Sequence, residues 1–109
     1  MTISNVADFT TAQRAVAQQA DGMAIARAIA AAEHDLEACF DLGVAFSTGA
    51  GGVECDLIEA HMWFNLAAAR GHEVAADLRA GIAEEMTARE IAEAQRRARQ
   101  WLASQRKAA

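Results

Sequence analysis

The stretch DLGVAFSTGAGGVECDLIEAHMWFNLAAARGH, Asp41 to His72, constrains this chain more than any other. Two apolar, alanine-bearing runs flank a glycine cluster, Gly49, Gly51 and Gly52. Such a cluster can cradle a phosphate, or it can reverse the chain between two helices. A phosphate loop needs Gly-Lys-Ser/Thr opening a helix, so that backbone amides, an ammonium and a hydroxyl converge on the anion. Here no lysine follows, and Glu54 and Asp56 would repel an anion. A dinucleotide fingerprint must follow a strand, and no strand is predicted before this loop. The cluster therefore reads as a turn whose glycines allow positive φ where two antiparallel helices reverse.

Helices are the expectation elsewhere too. The chain has no proline, and apolar residues make up 53% while aromatics make up only 6%. Much of the apolar share is alanine, the best helix former. An all-α fold in one domain, residues 1–109, follows. Six helical segments can be read. Phe9–Gln19 starts at Thr10 or Thr11, and Gly22–Glu33 either follows it or continues it. Leu36–Thr48 has Asp35 as N-cap. Leu57–Arg70 has Asp56 as N-cap and Glu59 three residues on, a carboxylate version of the capping box, with Gly71 as its stop. Glu73–Met86 is the fifth. The sixth opens on TARE, a capping box of Thr87 and Glu90, and carries the stripe Ile91, Ala94, Ala98, Trp101, Leu102. Arg89/Glu93 and Glu93/Arg97 stand at i, i+4 on its other face.

Charge divides the chain. Residues 1–85 carry 4 Lys+Arg against 13 Asp+Glu, and residues 86–109 carry 6 against 2. The acidic body argues against nucleic-acid binding. The basic end either complements its own helix dipole or meets an acidic partner. The N-terminus lacks the pattern of a secretory signal, and no run is apolar enough for a membrane span. The reading is a soluble, cytoplasmic protein that does not engage membranes. Cys39 reads as a small buried hydrophobe and Cys55 as a loop residue, with no disulfide framework.

Little points to chemistry. His61 and Cys55 do not make a metal-ligand spacing, since a zinc site needs about four convergent ligands. His34 and His72 stand just before helices and read as capping or packing residues. Glu84–Glu85 and the Glu37/Asp41 pair lie on polar faces, where carboxylates do not acquire split pKa values. No catalytic residue, cofactor site or metal site is expected.

The chain also resembles itself. Placing His34 on His72 puts Ala38 on Ala76, Phe40 on Leu78 and Gly43 on Gly81, a period one helix pair long. Glu37–Ala75 then resembles a Sel-1-like repeat, a relative of the tetratricopeptide repeat. The matching residues are Ala38, Leu42, Gly43, Phe46, Gly49, Gly52, Val53, Asp56, Glu59, Ala60, Trp63, Phe64, Ala67, Ala68, Gly71 and His72. Residues 22–36 resemble the second half of a preceding repeat, and residues 73–104 a following helix and a terminal capping helix. The resemblance thus implies a repeat region over residues 22–86 and a C-terminal capping helix over 87–109, with residues 1–21 as an N-terminal helix or cap. The loop holds one glycine more than the family's pattern. Cysteine-rich secreted members pair the Cys39 position with a later cysteine, which here is Ala68.

The resemblance implies a short α-solenoid of antiparallel helix pairs, with Trp63 or Phe64 packed between pairs and Gly43 at a close helix approach. It implies a non-catalytic adaptor that binds a protein or peptide on its concave face. Glu37, Asp41, Val44 and Thr48 share one face of such a helix at i, i+4, i+7, i+11, and Arg79 and Ile82 are placed as the equivalents of Asp41 and Val44. These six are the candidate groove. The alternative is a regulatory or structural subunit that docks through its basic C-terminal helix, with a homodimer as one form of it.

Overall fold

The computed structural model describes residues 29, 31–32, 34–50 and 52–108. The expected helix Phe9–Gln19, nearly all of Gly22–Glu33, and Gly51 lie outside these residues. Four of the six expected helices are described: α1 Leu36–Thr48, α2 Leu57–Ala69, α3 Glu73–Ala83 and α4 Ala88–Ala108. Among the described residues there is no strand, so the all-α class holds.

Local signals account for where each helix begins and ends. Asp35 caps α1, its Oδ1 accepting from the Glu37 amide at 2.9 Å. Gly49 closes the helix in the left-handed conformation, φ 78°, and donates its amide to the Ala45 carbonyl at 2.8 Å. Gly52 also has φ 78°. The turn is drawn back onto α1 by the Asp56 amide, which donates to the Phe46 carbonyl at 2.8 Å. These two left-handed residues are why the turn is rich in glycine.

Asp56 caps α2 by accepting from the Ile58 and Glu59 amides. The reciprocal half of the expected capping box is not made. The Asp56 amide is already bonded to Phe46, and the Glu59 carboxylate reaches Arg97 on α4 at 2.9 Å. α2 ends in a Schellman motif: the Gly71 amide donates to Ala68 O at 2.9 Å and the His72 amide to Ala67 O at 3.1 Å, with Gly71 at φ 101°. His72 caps α3, its Nδ1 accepting from the Ala75 amide at 3.1 Å. The box on α4 is complete. The Thr87 amide donates to Glu90 Oε1 at 2.8 Å and the Glu90 amide to Thr87 Oγ1 at 3.1 Å.

α2 is the centre of the molecule. It buries Ala60, His61, Met62, Trp63, Phe64, Leu66 and Ala67, which surround its axis rather than lining one stripe. Such a helix must be covered on several sides, and α1, α3 and α4 all pack on it. Along α1 the contacts run Phe46 near Asp56, Gly43 on Phe64 and Cys39 near Arg70, so α1 and α2 are antiparallel. Arg79 of α3 bonds Asn65, so α3 is antiparallel to α2 as well. α4 is parallel to α2: Arg97 meets Glu59, and one turn later Trp101 meets Trp63, ring centroids 5.7 Å apart and edge to face. α1 and α3 therefore run side by side in one layer, with α2 and α4 in the next.

Each layer has its own register. Asp35 and His72 are the N-caps of α1 and α3, 37 residues apart. Between α2 and α4 the spacing is 38, shown by the Glu59–Arg97 pair and matched by Trp63 and Trp101. α3 and α4, though consecutive, scarcely touch. α4 begins at Ala88, seven residues before the equivalent of Leu57. Those residues add about 10 Å of helix where the first hairpin has a loop, and they carry the α3–α4 turn away from α2.

Candidate functional site

Most repeat-motif residues fall in the core. Ala38, Leu42, Ala60, Trp63, Phe64 and Ala67 are buried, and Phe46 and Ala68 pack against them. Gly43 lies under the Phe64 ring. A Cβ there would stand less than 3.0 Å from Cδ1, Cε1 and Cγ of Phe64. Trp63 and Phe64 take different partners: Phe64 faces α1, where it is tilted against Phe40 at 5.9 Å, and Trp63 faces α4. Gly49, Gly52, Asp56 and Gly71 are the turn and cap residues described above.

The candidate groove divides. On α1, Glu37, Asp41 and Thr48 are exposed and Val44 is half-buried against the core. Glu37 Oε2 lies 3.3 Å from His72 Nε2, and the His72 ring stacks on Phe40 at 4.2 Å, which fastens the start of α3 to α1. Thr48 turns its hydroxyl back to the Val44 carbonyl at 2.8 Å. Arg79 and Ile82 do not join this face. Arg79 Nη1 donates to Asn65 Oδ1 at 2.6 Å on α2, and Ile82 packs on the core.

The cause is a shift of one residue. Aligning His34 with His72 sets a period of 38, but the residue that caps α1 is Asp35, so α3 repeats α1 at 37. At that spacing buried Ala38 matches buried Ala75, Leu42 matches Arg79, and Ala45 matches Ile82. Exposed Glu37 and Asp41 match Val74 and Leu78, and Val44 matches Gly81. The outward face of the α1–α3 layer is thus Glu37, Asp41, Val44 and Thr48 with Val74, Leu78 and Gly81. Val74 is 52% and Leu78 39% exposed. A Cβ at Gly81 would meet nothing within 4 Å, unlike one at Gly43. Val74 and Leu78, one turn apart in HEVAADLRAG, escaped sequence reasoning. Their spacing carries a signal, but the packing of α3 on α2 decides that they face solvent.

Charge sorts by layer. α1 holds no Lys or Arg, and α3 holds only Arg79, which is turned onto Asn65. Glu73, Asp77, Glu84 and Glu85 are exposed beside Val74 and Leu78. On α4, Glu93 accepts from Arg96 and from Arg97. Those two guanidiniums hold its carboxyl down at about 2. The expected Arg89/Glu93 pair is not formed, because Arg96 and Arg97 already occupy both carboxylate oxygens. Arg89, Arg99 and Arg106 are exposed and make no ion pair among the described residues.

Cys39 and Cys55 are free thiols. Cys39 is buried and donates to the Ala32 carbonyl, which also accepts from Arg70; burial pushes this thiol's pKa up, against the pull of Arg70. His61 is buried, its Nδ1 has no hydrogen-bond partner among the described residues, and burial followed by the Arg79 charge lowers its pKa. Among the described residues no group of three or more His, Cys, Asp and Glu converges as a metal would require, and no helix is long and apolar enough to cross a membrane. Glu84 and Glu85 are both exposed.

Comparison of the chain with protein-family models, with curated proteins and with solved structures finds no match.

Proposed function

We propose that this chain is a short α-solenoid of the Sel-1-like kind, a non-catalytic adaptor that binds a protein or peptide on the outward face of the α1–α3 layer. The observation that carries this reading is the stacking of like on like: α3 beside α1, α4 beside α2, at spacings of 37 and 38. Stacked helix pairs present the first helix of each pair along one continuous surface, the surface such repeats use for partners. On this chain that surface leaves Val74 and Leu78 uncovered as neighbours at i, i+4. Val74 and Leu78 are the exposed large apolar side chains of α1 and α3, where a partner's apolar residues could be buried. Free thiols at Cys39 and Cys55 suit a reducing compartment, and we place the protein in the cytoplasm.

The second reading is docking through α4 onto an acidic partner. It is favoured by the exposed Arg89, Arg96, Arg99 and Arg106, which occupy one side of that helix. Affinity capture from the native cytoplasm with quantitative mass spectrometry separates the two. Leu78→Arg should lose the partner and Arg99→Glu/Arg106→Glu should keep it; the reverse pattern would assign function to α4. Truncation after Ala98 is unsuitable as a control, because it removes Trp101 from Trp63 and uncovers the core.

A further inference from the structure

We infer that the occupant of the α1–α3 face is a cationic amphipathic helix, a partner segment with two large apolar residues one turn apart and Lys or Arg on its flanks. This rests on the proposed binding face and specifies its ligand. The apolar part is Val74 and Leu78 on α3, with half-buried Val44 on α1. The open space at Gly81 extends the surface along α3. Two parallel helices side by side leave a furrow that accepts the ridge of a third helix, and i, i+4 anchors are how such a helix is held.

The sign of the partner follows from the rim. Glu37 and Asp41 border the furrow on α1, and Glu73 and Asp77 border it on α3. No cation of α1 or α3 offsets them, since Arg79 is bonded away on Asn65. An acidic helix laid here would meet four carboxylates, of which Glu37 alone is shared with a partner, His72, among the described residues. A cationic one would find a partner for each flank, Glu37 sharing its carboxylate with His72.

The test is selection of a peptide display library, about 16 residues or four helical turns long, on the immobilised full-length protein. Retention is then compared on Leu78→Arg and Asp41→Lys proteins whose circular dichroism and thermal midpoint match the wild type. The expected winners carry Lys or Arg around a pair of large apolar residues at i, i+4, lose about tenfold or more in affinity on either variant, and weaken with added salt. Acidic or uncharged winners that depend on Leu78 would overturn the charge assignment and leave the binding face standing. Winners indifferent to both variants would overturn the face as well. A Leu78-dependent dimer of the wild type in analytical ultracentrifugation would overturn the inference in favour of a second copy.

Discussion

Gly43 and Gly81 look alike in sequence, each standing inside a helix, yet only one is under constraint. The Phe64 ring occupies the space a side chain would need at Gly43, and nothing approaches Gly81. Gly43→Val should therefore cost about 1–3 kcal/mol by overpacking, while Gly81→Ala should be neutral to stabilising by up to about 1 kcal/mol as a helix-interior Gly→Ala change. Thermal or urea denaturation of the two variants checks both. His61 is the other residue with a measurable signature. The fold accepts its neutral form, and its pKa in the folded chain lies below the ordinary 6.5. Below that value the unfolded chain takes up a proton that the folded chain resists, so this contribution to stability is present above about pH 6.5 and is lost as pH falls toward the folded pKa. His61→Leu should lose less thermal stability than the wild type between about pH 7 and pH 5; an equal loss would remove His61 as the cause. The close approach at Gly43 is legible because glycine inside a helix is costly without a packing reason. The burial of His61 is not, because α2 shows no polar stripe on which to leave it.

At the scale of the element, the caps were readable and the register was not. Asp35, Thr87 with Glu90, and Gly71 all act within four residues, a range that sequence spells out. Glu59 shows the limit. Its spacing from Asp56 suits a capping box, but Arg97, 38 residues on, takes its carboxylate. Sequence identity sets the period of α1 and α3 one residue too long, because His34 matches His72 in identity whereas Asp35 matches it in role. The link between α2 and α4 stood in EAHMWF and RARQWL, where Ala60 and Trp63 recur as Ala98 and Trp101. Trp63→Ala should cost about 3–5 kcal/mol by leaving a cavity against α4, and an unchanged thermal midpoint would contradict the packing. Thr87→Ala should cost about 1 kcal/mol, read in the same melts.

Across the described residues, an acidic layer of α1 and α3 lies on a second layer in which basic α4 flanks the core helix α2. Helix content, turn chemistry and most core residues were legible locally. Which face of α3 meets solvent was not, since it depends on packing against α2, a contact between elements. That orientation moves the candidate surface from Arg79 and Ile82 to Val74 and Leu78. The most direct measurement is a nuclear magnetic resonance titration of the labelled full-length protein with a library-selected peptide. Binding on the α1–α3 face predicts shift changes concentrated at Glu37, Asp41, Val74 and Leu78; changes confined to Arg89, Arg96, Arg99 and Arg106 on α4 would contradict it.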